Sequence, residues 1–400
     1  MAYLANTDQL LSDGILNPSQ VKEIQIRSRD TMITLAINLF LTGGILAATL
    51  GFIFWLADPL SVAVTGGIAL VLGLMLLLRG ADRFSMFGNA AALIGAGMLL
   101  GGATFELVDN YEAIAAWAMT GLGGAAMIGS YALYRKVPEG LGFLTGAITL
   151  MGAAIHLGGV IGFEFEGVGA MLFYLYAAGL TFALGIALDV RLVSALAIVP
   201  FAQVLDTSTT YWHASYAFYS YESTLSILQM GSLVAGFTWL ASRIKPRVGR
   251  HLNIAVMLAF IVMNLCFLVG SLWGDEVGRY MWGPQYRDFG YQNSEAYHAA
   301  LDAFRETAFT ISEEVYSVVW ALLLMGLIAW SAMTTRRGLF NASLTFLGIH
   351  AYTQMFESFA DEPMAYALGG LAAIPAAWGL LQANSWMKAR ETPTPVAHSK

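Results

Sequence analysis

Cysteine is almost missing from this chain. Cys266 is the one thiol in 400 residues and lies within an apolar run, which excludes an intramolecular disulfide and a thiolate metal cluster. Charge is scarce as well, at 12% of residues with a net charge of -7, and no nucleic acid is expected as a partner. Residues 1–30 lack a basic segment followed by a short apolar core, so no cleaved signal peptide is expected. Neither a His-Glu-x-x-His helix nor a paired histidine spacing occurs, so no metal or other cofactor is expected. The glycine run at Gly121, Gly123 and Gly124 lacks the strand and lysine of a nucleotide-binding loop.

What is abundant is apolar surface. With 57% hydrophobic residues and a mean hydropathy of +0.63, the chain carries more than a soluble core can hide, and its first expected partner is the lipid bilayer. Apolar stretches long enough to cross as helices fall at 31–57, 60–78, 85–106, 113–134, 140–162, 168–188, 192–211, 222–242, 252–273, 310–333, 338–359 and 364–386. The fold expected is all-α, a polytopic membrane bundle of about twelve transmembrane helices. Threading these spans puts all but Arg279, Arg287 and Arg305 of the 20 Lys and Arg on one side. Basic residues are retained in the cytoplasm, so both termini are expected there, and the opposite face is strongly acidic.

The organisation read from this threading has five parts. Residues 1–30 form a cytoplasmic amphipathic helical hairpin, stopped at Gly14 and restarted by Asn17-Pro18-Ser19-Gln20 with an N-cap, a first-turn proline and a capping-box glutamine. Residues 31–273 hold nine spans, 274–309 an outer aromatic loop with an interfacial helix capped by Asn293 or Ser294, 310–386 three more spans, and 387–400 a disordered cytoplasmic tail. Glycines such as Gly97 and Gly101, or Gly142 and Gly146, read as close-packing surfaces between helices. An internal repeat is suggested by Asn38 with Asp58, Asn89 with Asp109 and Asn341 with Asp361, relating spans two to four to spans ten to twelve.

Polar groups at membrane depth are costly and face the bundle interior or a watery cavity, so their spacing carries the functional reading. His350, Gln354, Glu357 and Asp361 share one face of span eleven. Gln203 and Asp206 with Thr207 and Thr210 end span seven, Glu222, Ser226 and Gln229 open span eight, and Glu313 and Glu314 enter span ten. All lie in the outer half, which suggests an outward-facing acidic cavity with His350 titrating near neutral pH. Tyr211, Trp212, Tyr219, Trp282 and Tyr286 would form an outer aromatic rim, or an ordinary aromatic belt at headgroup depth. The polar stripes equally suit hydrogen bonding that only holds helices together.

The segment Leu10-Leu11-Ser12-Asp13-Gly14-Ile15-Leu16-Asn17-Pro18-Ser19-Gln20, and the ending with Arg336-Arg337, Asn341 and the polar span through Glu357, resemble a bacterial family of multi-pass membrane proteins of unknown function, domain of unknown function 2157. The resemblance implies a bacterial inner-membrane setting and brings no chemistry with it. Three functions stay open: a carrier or binding protein for a small cationic or polar solute, a non-catalytic scaffold or sensor with a membrane protein partner, and an enzyme acting on a lipid-linked substrate with Asp206, Glu313, Glu314 or Glu357 as acid or base. No catalytic residue is singled out among them.

Overall fold

The computed structural model describes residues 7, 10, 14–56, 58–79, 85–137, 139–212, 215–289, 293–357 and 362–390. Helix dominates, and among the described residues nine helices are long and apolar enough to cross a membrane. The chain forms two compact units, Met1–Glu164 and Phe165–Lys400.

The first unit contains α1 (Pro18–Leu56), α2 (Pro59–Arg79), α3 (Ser85–Asn110), α4 (Glu112–Tyr134) and α5 (Glu139–Ile161). The capping box forms as its sequence predicts: the Gln20 amide donates to Asn17 Oδ1 at 2.9 Å, and the Asn17 amide donates to Gln20 Oε1 at 3.0 Å. The helix so started does not end with the hairpin. It runs on for 39 residues, merging the second half of the expected hairpin with span one. Most of the hairpin's first half lies outside the described residues, as do the side chain of Asn38 and all of Asp361.

Two helical hairpins, α2–α3 and α4–α5, are closed by glycines that press one backbone onto another. A Cβ on Gly66 would overlap the Leu99 amide, one on Gly95 the Leu70 amide, and one on Gly102 would lie 2.6 Å from the Ala63 amide. The second hairpin repeats these contacts at a constant offset along the chain: Gly123 meets His156, Gly152 meets Met127, and Gly159 meets Thr120. The sequences follow suit, Leu93-Ile94-Gly95-Ala96-Gly97-Met98-Leu99-Leu100-Gly101-Gly102 against Leu150-Met151-Gly152-Ala153-Ala154-Ile155-His156-Leu157-Gly158-Gly159. Small residues allow this approach where lipid provides no hydrophobic drive. The repeat visible here lies between adjacent hairpins and differs from the one suggested by the spaced Asn and Asp residues.

The second unit contains α6 (Val168–Leu188), α7 (Arg191–Leu196), α8 (Ile198–Gln203), β1 (Thr207–Trp212), β2 (Ser215–Ser220), α9 (Ser223–Ala241), α10 (Pro246–Trp273), β3 (Asp275–Glu276), a 3-10 turn at Tyr286–Phe289, α11 (Ser294–Thr307), β4 (Thr310–Ile311), α12 (Glu313–Met333), α13 (Arg337–Glu357) and α14 (Pro363–Arg390). Two antiparallel pairs, β1 with β2 and β3 with β4, interrupt the helices, so the unit is mainly rather than wholly α.

The expectation of one helix at 192–211 is corrected. Pro200 cannot donate to the Leu196 carbonyl, and its ring crowds that oxygen, so the helix breaks between α7 and α8. The β-branched and aromatic run Thr207-Ser208-Thr209-Thr210-Tyr211-Trp212 then pairs as a strand, Thr207 opposite Ser220. Arg191–Gln203 as helix covers only about 20 Å. Ser194 nevertheless bonds His251 near the start of α10, while the Phe201 carbonyl accepts from Gln229 in α9. The broken pair therefore still carries the chain from one end of the unit toward the other. At the far end of the chain, α14 continues to Arg390, beyond the tail boundary expected at 387; residues 391–400 lie outside the described residues.

The core of this unit is aromatic. Phe260 and Phe267 of α10, Tyr316, Trp320 and Leu324 of α12, and Phe346 of α13 form one buried cluster, with Phe267 stacked on Trp320 at 6.2 Å. Trp320 donates its indole N–H to Asn264 Oδ1 at 2.8 Å, satisfying a polar atom that would otherwise be stranded.

Candidate functional site

A cleft of about 500 Å³ opens where the end of α10, the loop after it, the end of β2 and the start of α12 converge. The chain enters it through Gly274, whose φ of +66° favours glycine and whose added Cβ would lie 2.8 Å from the Ile311 carbonyl oxygen. β3 then pairs Asp275 with Ile311 and Glu276 with Thr310, fixing the cleft floor. Gly278, at φ +85°, turns the loop back under the Trp282 indole, which leaves no room for a side chain there.

Buried polar groups hold this loop against the helices. Glu222, with no exposed surface, accepts the Gly278 and Tyr280 amides at 2.7 Å each. Burial pushes its carboxyl above the ordinary glutamate value, and the two amides and Asp275 are smaller influences. Asp275 accepts the Thr224 amide at 2.8 Å, the Thr224 hydroxyl, and the Tyr316 hydroxyl at 3.3 Å. Thr207 joins Ser220 at 2.8 Å and Ser226 at 2.7 Å, tying the β1–β2 hairpin to α9.

The cleft wall is aromatic and its charge is mostly negative. Tyr221 packs on Tyr219 at 4.9 Å and on Tyr280 at 4.5 Å between ring centroids. Burial raises the Tyr280 hydroxyl above the ordinary tyrosine value. Arg279 lies over the Tyr280 ring at 5.3 Å and pairs with Glu276 at 3.4 Å; Glu276 also holds Arg305 at 2.9 Å. Glu313 lines the cleft with its side chain exposed and makes no ion pair or hydrogen bond among the described residues.

The sequence-predicted residues scatter relative to this cleft. Tyr219 and Glu313 line it, and Glu222 anchors its loop. Glu314 accepts from the Ser312 hydroxyl beside it. Gln203 donates to Asp206 at 3.0 Å, and Asp206 is an exposed turn residue at φ +52°. Gln229 spends its amide on the Phe201 carbonyl at 2.7 Å. Trp282 is exposed beside Gly278, and Tyr286 packs edge-on against Tyr297 at 5.1 Å. The side chains of Tyr211 and Trp212 lie outside the described residues. His350 is buried, its ring 4.8 Å from that of Trp320 and its Nδ1 without a hydrogen-bond partner among the described residues. Gln354 is half-buried and Glu357 exposed further along α13; none of these three lines the cleft. Sequence reasoning missed Asp275, Thr224 and Tyr316. Their signal was weak, a glycine and two acids directly after the apolar run of α10.

A second polar cluster sits at the opposite end of this unit. His251 joins Ser194 Oγ through Nδ1 at 2.7 Å and Asp189 Oδ1 through Nε2 at 2.9 Å. The His251 hydrogen bond, seconded by Arg247 at 3.5 Å and Arg250 at 3.7 Å, holds the Asp189 carboxyl below its ordinary value. Serine, histidine and aspartate in sequence invite a nucleophile reading. The packing contradicts it: Ser194 is 1% exposed, and its Oγ lies so close to the Gly185 backbone that an added Cβ would overlap it. With no approach for a substrate carbonyl, this arrangement is a clamp joining the α6–α7 turn to α10.

No family model matches this chain, and neither does any curated protein or solved structure. The arrangement of its residues is therefore the ground for a functional reading.

Proposed function

We propose that the chain is a multi-pass inner-membrane protein with both termini cytoplasmic, which binds a small polar or cationic solute in the cleft at the outer ends of α9, α10 and α12. The broken pair α7–α8 serves as the shortened seventh crossing, which keeps the basic residues on one side and places Arg279, Arg287 and Arg305 with the cleft on the other. The motif around Asn17-Pro18 and its family resemblance favour a bacterial setting. The observation that carries the binding reading is the cleft itself, a concave site of ligand size whose loop is held by buried Glu222 and Asp275 while Glu313 lines it with no ion pair among the described residues. His350, sealed against Trp320, has a packing role in this reading, and proton coupling through it is not required.

The test uses the full-length protein in proteoliposomes with a panel of small radiolabelled solutes. Binding or uptake that weakens in Glu313→Gln but survives His350→Leu is expected. Failure of every solute to bind folded protein, or binding indifferent to every cleft substitution, would overturn the reading. Binding without uptake would make the protein a receptor rather than a carrier.

A further inference from the structure

Resting on the cleft as a binding site, we infer that its ligand is an organic cation, an ammonium group carrying alkyl substituents. Three features narrow the choice. First, about 500 Å³ is far more than a bare ion fills and matches the space of a small organic molecule. An inorganic cation needs several oxygen ligands around one point, and among the described residues no group of three acidic, histidine or cysteine side chains is so placed. Second, the wall is built of Tyr219, Tyr221 and Tyr280, whose rings pack at a tilt against one another, with Trp273 exposed at the mouth. Aromatic rings attract cations that shed water easily, which alkylated ammonium does and a small metal ion does not.

Third, the cleft already holds one cation in this manner. The Arg279 guanidinium rests over Tyr280, with the Glu276 carboxylate beside it. A guanidinium is weakly hydrated and planar, so its place shows that ring and carboxylate cooperate in this cleft. Once Arg279 and Arg305 have been matched to Glu276, the carboxylates of Asp275 and Glu313 are left without a basic partner among the described residues. Asp275 is tied down by Thr224 and Tyr316, so Glu313 is the counter-charge a solute meets. A neutral sugar would use the rings but leave that charge uncompensated, and an anion would be repelled by it.

Calorimetric titration of the full-length protein in nanodiscs tests the class. The ligands are tetramethylammonium chloride, potassium chloride, glucose and neopentyl alcohol, the last being a neutral compound of similar shape. Tetramethylammonium is expected to bind, and potassium at equal ionic strength is not. Tyr280→Leu weakens binding by about fivefold while Tyr280→Phe retains it, because the ring and not the hydroxyl provides the attraction. Glu313→Gln weakens it by roughly threefold, an effect that shrinks as salt is added. Equal binding of neopentyl alcohol, or equal loss in Tyr280→Phe and Tyr280→Leu, overturns the cation assignment. Glucose binding without tetramethylammonium binding overturns the class and leaves the binding cleft standing; no heat with any ligand, in protein that retains its helical circular dichroism, overturns both.

Discussion

The two units of this chain solve the same problem, holding helices together where lipid offers no hydrophobic drive, by opposite means. In the first, glycine brings backbones into contact, and the two hairpins use the same three glycine positions. In the second, polar side chains span the gaps: Glu222 to a loop, Asp275 to Thr224, His251 to Asp189, Trp320 to Asn264. Backbone contact closes the seam between paired helices. Side-chain bridging leaves room between elements, and the cleft lies where those bridges are densest.

The comparison breaks most sharply at the glycines. Gly95→Val or Gly152→Val drives a branched side chain into a facing backbone and should cost about 3 kcal/mol or more, or prevent folding, in detergent unfolding measurements. Gly121→Val, where an added Cβ meets nothing within 4 Å among the described residues, should melt close to the parent. Comparable losses at Gly121 and Gly95 would remove the backbone-contact account.

The next largest effect belongs to Glu222. Glu222→Leu strands the Gly278 and Tyr280 amides, and a local cost of about 2–3 kcal/mol is expected. It is read as faster hydrogen exchange through 275–283, with unit one unchanged. The same latch has a sign in pH. Because burial raises the folded value, its stabilisation is complete below the ordinary glutamate range and is lost as pH rises through the raised value. Protection factors in that loop should therefore fall as pH rises through that raised value in the parent and stay flat in Glu222→Gln.

At the clamp, His251→Leu removes two hydrogen bonds and should cost about 1–2 kcal/mol. Asp189 behaves oppositely to Glu222: its lowered carboxyl contributes fully above the ordinary aspartate range and fades as pH falls through the lowered value. The clamp end should thus loosen in acid while the cleft loop tightens, and parallel pH profiles at the two ends would remove the distinction. The smallest effect is expected at His156, which donates its Nδ1–H to the Thr120 carbonyl at 2.8 Å but occupies the position held by Leu99 in the first hairpin. His156→Leu should shift stability by under about 1 kcal/mol, since the sister hairpin packs a leucine at the same place.

Much of the helical layout was legible. The long apolar runs became helices close to their expected limits, and Asn17 with Gln20 formed the capping box their spacing implies. Local sequence also held what was misread. Pro200 and the alternation from Thr207 onward marked a broken helix and a strand, but an apolar count over twenty residues averages such signals away. His350 misled for a different reason. Its helical neighbours Gln354 and Glu357 implied a wet face, whereas Trp320, distant in sequence, covers it. The glycine repeat was present in plain letters, yet which glycines touch a backbone depends on the partner helix: Gly123 does, and Gly121 two residues earlier does not.

Sequence by itself determined that this chain is mainly helical and where most of its helices run, because hydropathy and caps act over a few turns. Only the tertiary structure decided that Glu222, Asp275 and Tyr316 meet around one loop, that Ser194 and His251 close a clamp instead of an active site, and that Glu313 lines a cleft with no ion pair among the described residues. Those outcomes depend on which side chains from distant segments fill or fail to fill each other's hydrogen bonds, and no local pattern contains that information.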